Sequence, residues 1–371
     1  MLTLRALLFG LNALIAVFVA FFALAMPSLT RRDVLFGVTV APGARATTAG
    51  RGIVLRYRAG VVLLCVVVLG AWGASYALAP DAWLRSPWLS LGTVALEVLV
   101  AVPFVFAHYA ARALAVTPPV APATPPPGPS AELRPRHYSD YLPWIWEVLP
   151  IAVIAATVAY LAPHYADAPA IIATHFDLAG NPNRFAPKSI GSYFALVWVQ
   201  LFIEVILTGS TVLVVGAKAI PGAADELFRK LWIRRLYAIK VLVLALLGSL
   251  AMITAGATAA TRRPAYITVA VVFSFVVIIL FTTMALALRT GQGGARLGAP
   301  NETATDRTSD RHWTLGVIYI NRDDPAILVE QRFGVGWTLN FGNPRALLVL
   351  GTLLALTAGF IIMSILVTGA R

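Results

Sequence analysis

Charge and cysteine are scarce in this chain. Only 12% of its 371 residues are Asp, Glu, Lys or Arg, where a soluble domain averages about 25%. Cys65 is the one cysteine, so neither an intrachain disulfide nor a cysteine metal cluster is available. HExxH, GxSxG and Walker motifs are missing, which removes the usual sequence support for a zinc peptidase, a serine hydrolase or a P-loop nucleotide site. GQGGARLG at 291–298 follows no strand and is not a dinucleotide fingerprint. The expectation is a protein that is not an enzyme, with no cofactor and no metal.

Apolar surface is abundant instead. Hydrophobic residues make up 59% of the chain, against about 45–50% in soluble domains, and the mean hydropathy is +0.79. The net charge of +12 does not imply nucleic acid. The basic residues sit in short loops between apolar runs, where they report membrane orientation.

Eight runs reach the roughly 20 apolar residues that a bilayer core needs: about 2–25, 60–80, 88–116, 146–163, 191–216, 236–260, 265–288 and 345–369. The first has a signal-peptide look, with Arg5 ahead of it and Ala23-Leu24-Ala25 near its end. Its apolar stretch exceeds the about 7–15 residues of an h-region, and cleavage would leave the Arg-rich segment 31–58 outside. It is read as a span. Placing 26–59 inside puts 21 Lys and Arg residues in inner loops and 7 outside, with Lys240 within a run. That bias predicts both termini on the outer side, opposite the cytoplasm.

The expected fold is an all-α polytopic membrane protein of eight helices with one small cytoplasmic β element. Residues 1–116 form a three-helix unit, 117–136 a Pro-rich inner linker, 137–288 a membrane domain with outer loop 164–190, 289–310 a flexible inner loop, 311–344 the β element and 345–371 the last span. Eight prolines in 117–135 favour an extended polyproline spacer or a ligand for another protein. AADELFRKLWIRR at 223–235 reads as a short inner helix, acidic at its start and basic at its end, with Leu227, Trp232 and Leu236 on the membrane surface. HWTLGVIYIN and AILVEQRFG flank an Asn-Arg-Asp-Asp-Pro turn, Asn343-Pro344 caps the last span, and Trp313, Tyr319 and Trp337 are placed near the headgroups. Asn321, Asp323 and Asp324 lack the Gly and distal Glu of a calcium loop.

Polar residues inside the runs are candidate sites, because ionisable groups in a bilayer are costly and face the bundle interior. Glu97 and His108 share one helix face, as do Gln200, Glu204 and Thr208. Two readings stay open: the faces meet to bind a proton or cation, or they are hydrogen-bonding glue. Glu147 lies near the inner interface, and Lys240 is read as snorkelling to the inner surface. His164, Asp167, His175 and Asp177 match no compact zinc spacing.

One polar island remains, IIATHFDLAGNPNRFAPKS at 171–189. It resembles the signature P-T-H-F-(N/D)-x-x-G-x-P-(D/N)-R-x-x-x-K of a bacterial membrane domain of unknown function, a family that includes the SdpI-like immunity protein against the sporulation-delaying toxin. The matching positions are Thr174, His175, Phe176, Asp177, Gly180, Pro182, Asn183, Arg184 and Lys188, with Ala173 in place of the signature proline. The resemblance covers about 145–215. WTLGVIYINRDDP and RFGVGWTLNFGNP, within 311–345, resemble a second uncharacterised domain often attached to the first, and RRDVLFGVTVAPG at 31–43 is similar to an inner-loop element of the same family. The resemblance implies an SdpI-like inner-membrane protein.

Read from the residues alone, Gly180 to Asn183 reverse the chain, Phe176 and Phe185 dip into the interface, and Arg184 and Lys188 reach lipid phosphates. His175 and Asp177 bind each other or a ligand. The island is either a structural cap or a recognition surface. The expected role is immunity or envelope sensing, with a secreted peptide or toxin, or a lipid-like molecule, bound outside, membrane lipids around the protein and a cytoplasmic regulator as a further partner. The rival is a proton- or cation-coupled transporter using Glu97 and Glu204.

Overall fold

Helices dominate because a chain in lipid must satisfy its backbone groups within itself. The computed structural model describes residues 2–78, 88–116, 136–176, 182–218, 223–255, 265–297 and 308–368. The helices are α1 (Leu2–Leu29), α2 (Thr48–Leu78), α3 (Trp88–Leu99), α4 (Ala101–Ala111), α5 (Val148–Leu161), the single turn α6 (Ile190–Tyr193), α7 (Ala195–Val215), α8 (Ala223–Thr254), α9 (Ala265–Thr290) and α10 (Pro344–Thr368). Among the described residues, eight helical segments are long and apolar enough to cross a membrane. α3 and α4 make one of them. It breaks at Val100, because Pro103 has no N–H to offer the carbonyl of Leu99.

Two helices outrun their apolar cores. α2 starts at Thr48 and α8 at Ala223, so 223–235 is the opening of α8 rather than a separate surface helix. Phe228 is fully buried, and Trp232 lies tilted against it, with ring centroids 5.8 Å apart, and donates from Nε1 to Thr290 Oγ1 at 3.2 Å. Leu227 is left exposed.

The β element expected before the last helix is present as two two-stranded antiparallel pairs, and two further pairs lie elsewhere in the chain. β1 (Val34–Leu35) pairs with β2 (Val38–Thr39), and β3 (Ile171–Phe176) with β4 (Pro182–Pro187). β5 (Trp313–Thr314) pairs with β6 (Ile318–Tyr319), and β7 (Leu328–Glu330) with β8 (Trp337–Leu339). The β3–β4 hairpin stands at one end of the bundle. The other three pairs gather at the opposite end as a platform.

The platform fastens the last β segment to the base of the first three spans. The two tight turns, Phe36-Gly37 and Leu315-Gly316, all have positive φ and touch through their glycines. A Cβ on Gly37 would stand 2.6 Å from Gly316 Cα, so only glycine permits this contact. Phe333 enters an aromatic cluster, with ring centroids 4.5 Å from Phe104 and 5.6 Å from Phe36. Asn340, wholly buried, accepts from the N–H of Asn321 and Gly342 at 3.0 Å and donates to the carbonyls of Asn321 and Asp324. Asn343 Oδ1 caps α10 by accepting from Arg345 N at 2.9 Å.

The aromatic residues expected at the headgroups serve the platform core instead. Trp313 and Tyr319 are buried against each other, with centroids 4.9 Å apart, and Trp337 lies under the Arg229 guanidinium at 5.5 Å. Trp144 and Trp146, ahead of α5, are the exposed tryptophans at this end, where an interfacial belt would sit.

Candidate functional site

The hairpin is built from its base. Ile171 faces Pro187, Ile172 faces Ala186 and Ala173 faces Phe185; a bulge follows, and His175 then faces Arg184. Ile172 and Ala186 are buried on the inward face. Ser189 caps α6 by accepting from Ser192 N at 3.1 Å.

Lys188 is the latch of this base. Its Nζ donates to the carbonyls of Ala168 at 2.8 Å, Ala166 at 3.2 Å and Tyr165 at 3.4 Å. It also lies 5.4 Å from the Tyr165 ring centroid. The sequence reading gave Lys188 to lipid phosphate or ligand; the structure occupies its ammonium with three backbone carbonyls. His175 and Arg184 remain exposed, with His175 Nδ1 bonded to the side chain of Asn183, and Phe185 is partly exposed beside them. Phe176 ends β3 and Pro182 begins β4. Asp177 and Gly180 lie outside the described residues. His164 bonds through Nδ1 to Tyr160 O at 2.8 Å.

A second constellation lies between α5, α7 and α8. Lys240, only 2% exposed, donates from Nζ to Glu204 Oε1 at 3.0 Å and to Thr208 Oγ1 at 2.9 Å, and also to Glu147. Thr208 donates in turn to Glu204 at 3.0 Å. Tyr138 donates to Glu147, and Tyr237 holds the approach to α5 through the Trp146 carbonyl at 2.7 Å. Burial, and then the hydrogen bond to Glu147, raise the Tyr138 phenol. Lys240 does not snorkel, because two carboxylates on neighbouring helices meet it inside the bundle.

Further along α7, Gln200 is wholly buried and donates to Leu244 O at 2.9 Å and Thr157 Oγ1 at 3.2 Å. The helices close there because position 248 is glycine; a Cβ would stand 2.6 Å from Thr157 Oγ1. Gln200 Oε1 and Glu204 Oε2 are buried without a hydrogen-bond partner among the described residues.

The structure does not bring Glu97 and His108 to Gln200 and Glu204. α3 lies against α1, α2 and α4, while α7 lies against α8, α5 and α10. Glu97 is exposed on its helix. His108 is buried and bonded through Nδ1 to Phe36 O at 2.8 Å, so it holds the β1–β2 turn. The residues that do join Glu204, namely Lys240, Glu147 and Tyr138, had a usable signal: one buried lysine requires an acid within reach.

The platform carries its own buried charges. Arg31 pairs with Glu330. Burial pushes the Glu330 carboxyl up to about 8, with Arg31 opposing the rise and the Asp225 carboxyl reinforcing it. Arg45 donates to Pro27 O at 2.6 Å and to the carbonyls of Arg31 and Val34, and burial lowers it to about 10. Asp324 accepts from Lys218 Nζ at 2.6 Å, Tyr319 OH at 2.9 Å and Ala326 N at 3.0 Å. Burial alone would raise this carboxyl; the three donors hold it below the ordinary range.

These elements define a multi-pass membrane protein with a capped polar hairpin at one end, a β platform at the other and a buried ionic cluster between them. Residues 152–201 match the family model described as a domain of unknown function (DUF1648), from within α5 through the hairpin to the start of α7. Residues 322–347 match a family of unknown function (DUF5808), from the Asn321–Asp324 turn to the first turn of α10. No curated protein and no solved structure matches the chain.

Proposed function

We propose that the protein is a non-enzymatic, SdpI-like membrane receptor of a bacterial inner membrane, acting in immunity or envelope sensing. A peptide or lipid-like ligand binds at the outward hairpin. The observation that carries this reading is the division of labour in the island: Lys188 and Ser189 fix its base, while His175 and Arg184 are exposed as facing neighbours. Polar side chains held out by a rigid base suit recognition. The 21-to-7 loop charge bias supports the outward orientation, and a cytoplasmic regulator would then meet the platform.

The test is a deletion strain challenged with secreted peptides and envelope stress, complemented with wild type, His175→Ala or Arg184→Ala, with neighbouring transcription recorded. The expected result is loss of protection or signalling with normal amounts of folded protein. Equal protection by both variants would remove the hairpin as the recognition surface.

The buried cluster favours a second reading, proton-coupled transport. It holds two carboxyls to one ammonium, with Glu204 Oε2 unsatisfied, and one proton would balance it. Glu97 has no part in that version. A Glu147→Gln/Glu204→Gln double variant that keeps full activity would end it, because coupling needs a titratable group.

A further inference from the structure

The flank of α2 and α4 carries a groove that neither the hairpin nor the buried cluster uses. Its volume is about 500 Å³, and its walls are apolar, with Ile53, Gly60 and Leu64 on one side and Val102 and Phe106 on the other. The volume lies within the about 300–1,000 Å³ of ordinary ligand pockets. Gly60 lets the two helices come together at the groove floor: a Cβ there would stand 3.0 Å from Pro103 Cβ. Leu63 and Phe106 stand well exposed on the rim. Both helices belong to membrane-crossing segments, so the rim opens towards acyl chains.

Arg56 is the charged residue of the lining. It sits eight residues into α2, about 12 Å along the axis from the platform end. Its Nε donates to Gly52 O, in its own helix, at 3.3 Å, and no acidic side chain among the described residues pairs with it. A long apolar slot ending in one unanswered guanidinium matches an amphiphile with an acyl tail and an anionic head. Basic pockets between spans favour anionic lipid headgroups, and the guanidinium fork suits a phosphate. A second copy of the chain is a poorer fit. The lining holds no acid, so a two-fold contact through the groove would bring two Arg56 side chains towards each other.

We propose that this groove is a binding site for an anionic phospholipid, with one acyl chain between α2 and α4 and the phosphate on Arg56. The site lies at the platform end of the bundle and is independent of the ligand assigned to the hairpin.

Native mass spectrometry of the full-length protein, released from nanodiscs of phosphatidylglycerol mixed with phosphatidylcholine of the same chains, tests it. Wild type is expected to retain one phosphatidylglycerol about fivefold over phosphatidylcholine, from roughly 1 kcal/mol per basic side chain at the headgroup. Arg56→Gln should abolish that preference. Val102→Trp, which fills the slot from an exposed position, should lose both lipids while melting like wild type. Arg51→Gln, on the same helix and exposed but outside the lining, should keep the wild-type preference. Equal retention of the two lipids by wild type would overturn the site. So would an Arg51→Gln loss as large as that of Arg56→Gln, which would mean diffuse charge, or a lipid-free dimer.

Discussion

Two lysines in this molecule occupy unusual surroundings, and both are engaged. Lys188 places its ammonium on three backbone carbonyls. Charge-assisted hydrogen bonds are each worth roughly 1.5–3 kcal/mol, less where water competes, so Lys188→Ala should cost about 1–2 kcal/mol. His175→Ala and Arg184→Ala should stay within about 0.5 kcal/mol. Melting in detergent compares all three; a Lys188→Ala protein as stable as wild type would remove the latch. Lys240 is held between Glu147 and Glu204. Lys240→Met should cost about 3–5 kcal/mol, because two carboxylates are left buried without their cation. The triple variant Lys240→Met/Glu147→Gln/Glu204→Gln should recover most of that loss. If the triple variant melts no higher than the single, charge pairing is not what Lys240 contributes. The helical face of Glu204 and Gln200 was legible from their four-residue spacing. Which helix that face meets was not, because Glu147 is 93 positions from Lys240 and periodicity describes only one helix at a time. Glu97 shows the same limit: the helix breaks at Val100, and Glu97 is exposed while His108, eleven residues on, is buried.

The platform is the element whose assembly was least readable. Its β-prone runs and the Asn343-Pro344 helix start could be seen locally. Its docking could not: Arg31 and Glu330 are 299 positions apart, and the glycine-to-glycine contact of Gly37 and Gly316 has no local signature. Interfacial tryptophans and core tryptophans also look alike in sequence, so nothing local to Trp313 separates a headgroup position from the platform core. In the fold it lies 5.0 Å from the Arg332 guanidinium, which donates to Asp310 Oδ1 at 2.5 Å and Gly37 O at 3.3 Å. Platform stability should depend on pH through Glu330. Its folded value, about 8, lies above the about 4.3 of an unfolded glutamic acid. Its contribution is therefore fully present below the unfolded value and is lost as pH rises through about 8. The melting temperature should fall from about pH 5 to about pH 8 in wild type, level off above that, and fall less in Glu330→Gln. Parallel slopes in the two proteins would show that this carboxyl is not the titrating group.

At the scale of the whole molecule, two ends with different chemistry are joined by lipid-facing helices. α10 illustrates the exterior: Leu348, Leu354, Ile362 and Leu366 are all exposed, and one of its holds on the bundle is Phe360 stacked on Phe202 at 4.3 Å. The basic residues counted for orientation divide into two kinds. Arg31, Arg229 and Arg332 are buried in the platform and are fixed there by their contacts, while Arg51, Arg56 and Arg322 are exposed and free to act on the membrane or a partner. Both kinds lie at the platform end, so the receptor reading rests on which side that end faces. Single cysteines at Asn183 and Arg322, in a Cys65→Ala background, decide it with an impermeant thiol reagent on intact cells. Labelling is expected at position 183, and none at 322 until the cells are opened. Labelling at 322 with protection at 183 would contradict it, because the hairpin would then face the cytoplasm.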